Sequence, residues 1–276
     1  MQKNQIAAGC DYVNFRIVVL MKPTPDPDKV RFDAEKGTII REGVELIINP
    51  YDLPAIELAV QVKEKLGGEV IVISMAPPQG EEALRDAIAR GADRAILLTD
   101  RRFAGADTLA TSYALASAIM KLGNVNLVIG GEKSIDGDTA QVPGEVAEML
   151  GLPHVSYVSR LIDIDYSRAI VESDLESEVV TYEVPLPCVL QVTLNVAKPR
   201  IPTIKGKLQA RKAIVEKWST DALADIADIN RFGIKGSPTM VYRVVIPKEK
   251  ERKRIILDTE QGVKTVVDLL MKEGLL

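Results

Sequence analysis

Asp136, Asp138 and Thr139 lie in a loop, Gly131 to Gln141, between a short apolar run and an amphipathic segment. Residues of these types can do two kinds of chemistry. Carboxylates accept hydrogen bonds from sugar hydroxyls, while a hydroxyl and the free N–H groups of a helix start donate to phosphate. Val125 to Ile129 is apolar enough to be buried on both faces, as parallel strands are. Gly130 and Gly131 end it and let backbone come close to another group. Asp136, Asp138 and Thr139 are also helix-capping types. A helix is expected through Val146, Ala147, Met149 and Leu150, with Gly151 as its stop. The stretch 125–151 equally describes a tight strand-to-helix turn with no ligand.

Other chemistries find little support. His154 is the single histidine and follows a Gly-Leu-Pro turn. One histidine permits no multi-histidine metal site, and no G-x-S-x-G elbow accompanies it, so hydrolytic nucleophilic catalysis is not expected. Cys10 and Cys188 make neither a disulfide framework nor a zinc site. Net charge is −4 and aromatic content 4%, which argues against nucleic acid as a partner. Apolar runs are too short to span a bilayer, and Met1 to Asn14 lacks a signal-peptide core, so no direct membrane insertion and a cytoplasmic location are expected. Neither G-x-G-x-x-G after a strand nor a G-x-x-x-x-G-K-[ST] loop is present.

The elements that must position the loop follow from periodicity. Residues 1–14 read as an N-terminal extension. Arg16 to Met21 is a first buried strand, followed by a proline-stiffened loop from Lys22. Residues 31–48 read as a small hairpin turning at Lys36-Gly37. A helix begins near Asp52, a plausible cap, with Ile56, Ala59, Val60 and Leu66 on one face. Further strands are expected at 69–74, 95–98 and 125–130. Helices are expected at 79–90 and from a cap at Gly105-Ala106-Asp107-Thr108 to Lys121. Alternating strands and helices over 15–151 mean a parallel sheet covered on both faces.

After 151 the pattern becomes an antiparallel meander, 155–164, 169–174 and 178–184, then a return to a buried strand over 185–194. Residues 195–212 form a basic, proline-containing loop leading to a helix, either a partner surface or a solvated connector. Val241 to Ile246 reads as a strand, Lys248 to Arg254 as a charged stretch, and 258–274 as an amphipathic helix. The expected division is 15–215 as a nucleotide-binding α/β domain and 216–276 as a C-terminal arm packing on a partner subunit.

In a doubly wound sheet the loops after the parallel strands share one rim. They carry Lys22, Met75, Asp107, Thr108 and Gly131 to Gln141. Such a rim can hold an adenine nucleotide. Backbone N–H groups and Thr139 would meet phosphates, Met75 and Ala76 would cover adenine, and Asp136 or Asp138 would take ribose hydroxyls. The acids disfavour a bare triphosphate there.

Several segments together resemble the beta subunit of an electron-transfer flavoprotein over about 15–215. They are the strand end at Met21-Lys22, Asn49-Pro50, Ile73-Ser74-Met75-Ala76-Pro77 and Gly-Ala-Asp-Arg at 91–94. The loop G-x-x-x-x-D-x-D-x-x-Q at Gly131 to Gln141, Leu186-Pro187 and Pro-Arg-x-Pro-Thr at 199–203 complete the set. The resemblance implies an open, mainly parallel doubly wound α/β sheet of the adenine-nucleotide alpha-hydrolase-like kind. It also implies pairing with an alpha subunit that carries one FAD. Ordinary members hold AMP in the beta subunit; electron-bifurcating members hold a second FAD there, which takes a hydride from NADH and splits the electron pair. Carried over by position, the pocket is Leu20, Asn49, Met75, and Gly131, Glu132, Lys133, Ser134, Ile135, Asp136, Gly137, Asp138, Thr139, Ala140, Gln141 and Val142. Val196, Lys198, Pro199 and Arg200 correspond to the recognition loop for a dehydrogenase or quinone-reductase-type partner.

Three segments resemble the bifurcating group: Gly105 to Thr108, Asp136 to Val142, and Pro187-Cys188. The meander departs from its pattern at Glu172, where a basic residue is expected. Small Gly137 and Ala140 leave room for a ligand larger than AMP, so FAD is expected, with AMP as the alternative. Electrons would pass from NADH to the flavin and then singly to a ferredoxin-like acceptor and to the alpha-subunit FAD, with no essential protein acid or base. A buried core role for Cys188 is the simpler reading. Two other classes share the fold, a stand-alone nucleotide-cleaving or adenylyl-transfer enzyme and a non-catalytic nucleotide sensor.

Overall fold

The structure is a computed structural model; it describes residues 15–26, 29, 31–33, 38–40, 45–240, 254 and 256–276. The extension 1–14, the hairpin turn at Lys36-Gly37, the strand expected at 241–246 and nearly all of the charged stretch 248–254 lie outside the described residues. In chain order the first elements are β1 (Arg16–Leu20), β2 (Pro23–Pro25), β3 (Arg31–Asp33), β4 (Thr38–Ile40), β5 (Leu46–Ile48) and α1 (Asp52–Leu66). Next come β6 (Glu69–Met75), α2 (Glu81–Ala89), β7 (Arg94–Leu98), α3 (Thr108–Leu122), β8 (Leu127–Gly131) and α4 (Val142–Leu150). The meander is β9 (His154–Ile164), β10 (Arg168–Asp174) and β11 (Val179–Pro185), followed by β12 (Cys188–Val192). The last are α5 (Ile204–Lys212), β13 (Val215–Trp218), α6 (Gly233–Gly236) and α7 (Thr259–Lys272).

One nine-stranded sheet has the order β11-β10-β9-β12-β8-β1-β6-β7-β13. Strands β9 through β13 in that order run parallel, and β10 and β11 extend the sheet as an antiparallel meander. This is the open doubly wound α/β architecture expected from the alternating pattern. Alternation along β1 explains its layers. Ile17 and Val19 pack into the core shared with α1 and α2. Val18 and Leu20 pack into the core shared with α3 and α4. Both faces are covered, so the strand must be apolar throughout.

Local chemistry sets the boundaries. Helix α1 ends at Gly67 and Gly68, where φ is 78° and 99°. A Cβ on Gly68 would lie 1.9 Å from the Phe15 carbonyl oxygen, so only glycine fits the turn into β6. The Asp107 carboxylate caps α3 by accepting from Ala110 N at 3.0 Å, as its position suggested. Two starts differ from expectation. Strand β8 begins at Leu127, because Asn126 is engaged with Arg16 at the sheet's end. Asp52 does not cap α1; its carboxylate turns to the Lys22 amide instead.

The boundary expected at 215/216 falls within β13, which pairs in parallel with β7. Leu223 and Phe232 are buried in the core on the α3 side, so the chain as far as Met240 belongs with the α/β unit. The residues beyond Met240 form a separate unit. Within it, α7 is capped by Asp258 at Gln261 N, 2.8 Å, and its sequence places Val263, Val266, Val267 and Leu270 along one side.

Candidate nucleotide-binding site

The order of the strands places the site. From β1 the chain moves one way to β6 and β7, then returns across β1 to β8. Between β1 and β8 the winding reverses, and the loops leaving their C-terminal ends diverge around a crevice. Those loops carry Lys22 on one side and residues 132–141 on the other. They touch: Lys22 Nζ donates to Asp136 Oδ1 at 2.6 Å and to Ser134 Oγ at 3.3 Å.

Three buried polar side chains outside the loop hold it from beneath. Asn49 donates from Nδ2 to the Lys133 carbonyl at 2.8 Å, and its Oδ1 accepts from Ile135 N at 3.2 Å. Asp52 Oδ2 accepts from Lys22 N at 2.7 Å, and the Gly131 amide also donates to this carboxylate. Gln191 Nε2, on β12, donates to the carbonyl oxygens of Glu132 and Ala140, each at 2.8 Å. Asn49 is 1% exposed, Asp52 4% and Gln191 3%. A Cβ on Gly131 would sit 2.3 Å from Asp52 Oδ1, so the glycine exists for this close approach.

Burial dominates at Asp52. It opposes the charged form and raises the carboxyl to about 7, against the lowering influence of the Lys22 amide and Asn49. Burial is the largest influence at Asp136 too and works against its charge, but the hydrogen bond and charge of the Lys22 ammonium, with the Ser134 hydroxyl, together outweigh it and keep this carboxyl below the usual range. The Lys133 ammonium pairs with Asp138 at 2.8 Å, is held above its ordinary value by that pair, and lies 5.5 Å from the centre of the Tyr51 ring.

Asp136, Asp138 and Thr139 do not cap α4. Gln141 occupies the position before Val142, and no side chain caps that helix. Thr139 and Gln141 are exposed on the rim, while Glu132, Lys133, Ser134, Ala140 and Val142 are half-buried. Asp138 and Ala140 adopt φ of 52° and 56°, the left-handed region. Gly137 is exposed, and a Cβ there would come within 3.2 Å of Ser134 Oγ, a tight contact with a rotatable hydroxyl.

Helices α3 and α4 start side by side. Glu145 accepts from Thr108 Oγ1 at 3.2 Å and from Ser112 Oγ at 2.7 Å. Asp107 caps α3 with one oxygen and with the other accepts from Thr239 N and Oγ1, at 3.0 and 2.8 Å. Its carboxylate is fully engaged in holding structure. Leu20 is core, buried beneath the crevice, and Met75 is half-buried at the end of β6.

The segment carrying Val196, Lys198, Pro199 and Arg200 leaves β12 and descends α1. Val196 packs against the core and Lys198 is exposed. Arg200 turns inward. Its Nε and Nη2 meet the Glu57 carboxylate at 2.7 and 3.0 Å, and Nη1 reaches Glu64 at 2.8 Å. Glu57 and Glu64 hold its guanidinium above its ordinary value. Sequence reading missed Asp52 and Gln191 as site residues, because the strand and helix pattern names no partner for an isolated buried polar residue. Cys188 is buried and its thiol is pushed up to about 12 by burial.

This arrangement fits an adenine nucleotide. Uncapped N–H groups of the nine-residue α4, two ammonium groups and a rigid loop converge at the switch point. Among the described residues no cluster of His, Cys, Asp and Glu could hold a metal, and no helix is long and apolar enough to cross a membrane. Fold and crevice together define an open doubly wound α/β protein.

Comparison with known proteins narrows that class. The electron transfer flavoprotein domain family matches residues 36–223. The chain is 45% identical to the electron transfer flavoprotein subunit beta of Thermoanaerobacterium thermosaccharolyticum, covering 92% of this chain and 97% of that one. It is 41% identical to the protein FixA of Bradyrhizobium diazoefficiens, covering 92% and 90%. It is 42% identical to the caffeyl-CoA reductase-Etf complex subunit CarD of Acetobacterium woodii, covering 88% and 92%. The chain belongs to the electron transfer flavoprotein family, in its beta-subunit branch.

Proposed function

We propose that this chain is the beta subunit of a heterodimeric electron transfer flavoprotein whose switch-point crevice holds FAD. The assembly would pass electrons from NADH, by flavin-based bifurcation, to a low-potential ferredoxin-like acceptor and to the FAD of an alpha subunit. The observation that carries the nucleotide reading is the loop Gly131 to Val142, hydrogen-bonded from beneath at the switch point and running into the uncapped start of α4. Its N–H groups and the Thr139 hydroxyl would meet the phosphates. Lys22 and Lys133 would offset phosphate charge once exchanged from Asp136 and Asp138. Met75 and Ala76 would cover the adenine. Bound there, FAD supplies the two-electron acceptance and one-electron release that no side chain of this protein offers. The chain binds and orients; its site offers no side chain that must move a proton.

The name of the Acetobacterium relative supports a larger assembly. Val196, Lys198 and Pro199 would face a dehydrogenase or quinone-reductase-type partner, with Arg200 anchoring them from behind. The C-terminal unit, through the apolar side of α7, would pack on the alpha subunit, and the complex would work in the cytoplasm. The second reading is an ordinary member holding AMP. Extraction of the purified heterodimer distinguishes the two. Two FAD per pair are expected; one FAD plus one AMP would overturn the bifurcating reading.

A further inference from the structure

Loop 131–142 holds two residues, Asp138 and Ala140, in the left-handed region. For residues with a Cβ this conformation is unfavourable and persists where surroundings hold it. Asp138 is held by the loop itself, its amide donating to the Ser134 carbonyl at 2.9 Å and its carboxylate pairing with Lys133, whereas Ala140 is held from the inner side. The contacts there are specific. Both hydrogens of the Gln191 amide are used, one on the carbonyl of Glu132 and one on the carbonyl of the strained Ala140. A single side chain thus ties the two ends of the loop together. Gln191 is buried in β12, opposite Gly130 of β8 in register, at the point where the pairing of β12 with β9 shifts register. Asn49 fixes the loop's first turn at Lys133 and Ile135.

A loop held in advance loses less conformational freedom when a ligand arrives, and binds more tightly for it. We propose that Gln191 is a positioning residue for nucleotide binding, its amide bridging Glu132 and Ala140 so that loop 131–142 keeps its ligand-receiving shape before any nucleotide is present. This rests on the nucleotide reading of the crevice given above. Gln191 itself lies beneath the loop and acts through backbone carbonyls.

The test uses the alpha–beta heterodimer, freed of beta-site nucleotide, with AMP and FAD as probes. Gln191→Met keeps length and apolar packing but removes both donors. Binding of AMP or FAD is expected to weaken at least tenfold, with alpha-subunit flavin content unchanged. Amide hydrogen exchange at Ile135 and Asp138 should accelerate at least tenfold, with α1 and β1 unaffected. Gln191→Met binding nucleotide as tightly as the parent would overturn the proposal. Should that variant not assemble, the parent decides. Slow exchange at Ile135 and Asp138 without nucleotide supports a preset loop, and exchange at the rate of an unstructured chain overturns it. A parent heterodimer that takes up neither AMP nor FAD beyond its alpha-subunit flavin would instead overturn the nucleotide reading, and it would do so before any variant is made.

Discussion

Replacing Asp52 by Asn should flatten the pH dependence of this protein's stability between about pH 4 and pH 7. In the fold Asp52 keeps its proton up to about pH 7, because burial opposes its charge. In the unfolded chain it ionises near the ordinary carboxylate value of about 4. Between those values the folded state binds one more proton than the unfolded state, so stability falls as pH rises. The window spans roughly three pH units at ~1.4 kcal/mol each, an upper figure on the order of 4 kcal/mol. The groups facing Asp52 are the Lys22 and Gly131 amides, Asn49 and, more distantly, the Lys22 ammonium, which is engaged by Asp136. No cation contacts the carboxylate directly among the described residues.

Asparagine removes the titration but has one carbonyl oxygen where aspartate has two acceptors. One of the two amides would face an NH2 group, a loss of about 1–3 kcal/mol for a buried donor. The variant should therefore be less stable than the parent near pH 5, with the gap closing or reversing near pH 8. Thermal unfolding of both proteins in matched buffers, followed by circular dichroism, reads this directly. His154, lowered by burial, titrates alike in both and cancels in the difference. A difference between variant and parent that stays constant across the range would refute the reasoning.

Arg200→Ala leaves Glu57 buried and unpaired. A loss on the order of 2–3 kcal/mol is expected, below the ~3–5 kcal/mol of a fully buried pair because Arg200 is one-third exposed, and urea unfolding measures it. Gly131→Ala would force a Cβ to 2.3 Å from Asp52 Oδ1 and 2.5 Å from the Tyr51 carbonyl. About 1–3 kcal/mol of destabilisation is expected, with weaker AMP or FAD uptake by equilibrium dialysis. Asp136→Asn frees the Lys22 ammonium from its half-exposed partner. AMP binding should tighten modestly, by no more than about fivefold, and more so at low salt; weaker binding would assign Asp136 to the ligand instead. Buried Cys188 should resist thiol reagents in the native protein and react only on unfolding, which peptide mapping of the modified chain can follow.

Much of the fold was legible because it rests on local rules. The apolar runs at 16–21, 69–74 and 95–98 read as strands buried on both faces, and Asp107 announces α3. The rim of the site followed from that alternation, since loops after parallel strands must share one end of the sheet. Side-chain partnerships were not legible. Asp52 looked like a helix cap, yet the chain's path brings the Lys22 amide within 2.7 Å, thirty positions away. Arg200 looked like a surface cation in a basic segment, yet α1 presents Glu57 and Glu64 to it across more than a hundred residues.

What the sequence determined by itself was the class of protein: a doubly wound sheet, a meander, and a glycine-bounded loop with nucleotide-binding residue types. Periodicity, turn chemistry and a family resemblance spread over most of the chain were enough, because each is a property of neighbouring residues. What only the tertiary structure decided was how that loop is held. Gln191 joins Glu132 to Ala140 across fifty-odd positions, and Asn49 reaches Lys133 across more than eighty. Such contacts depend on which strands lie side by side, and strand order is set by the packing of the whole sheet rather than by any stretch of the chain.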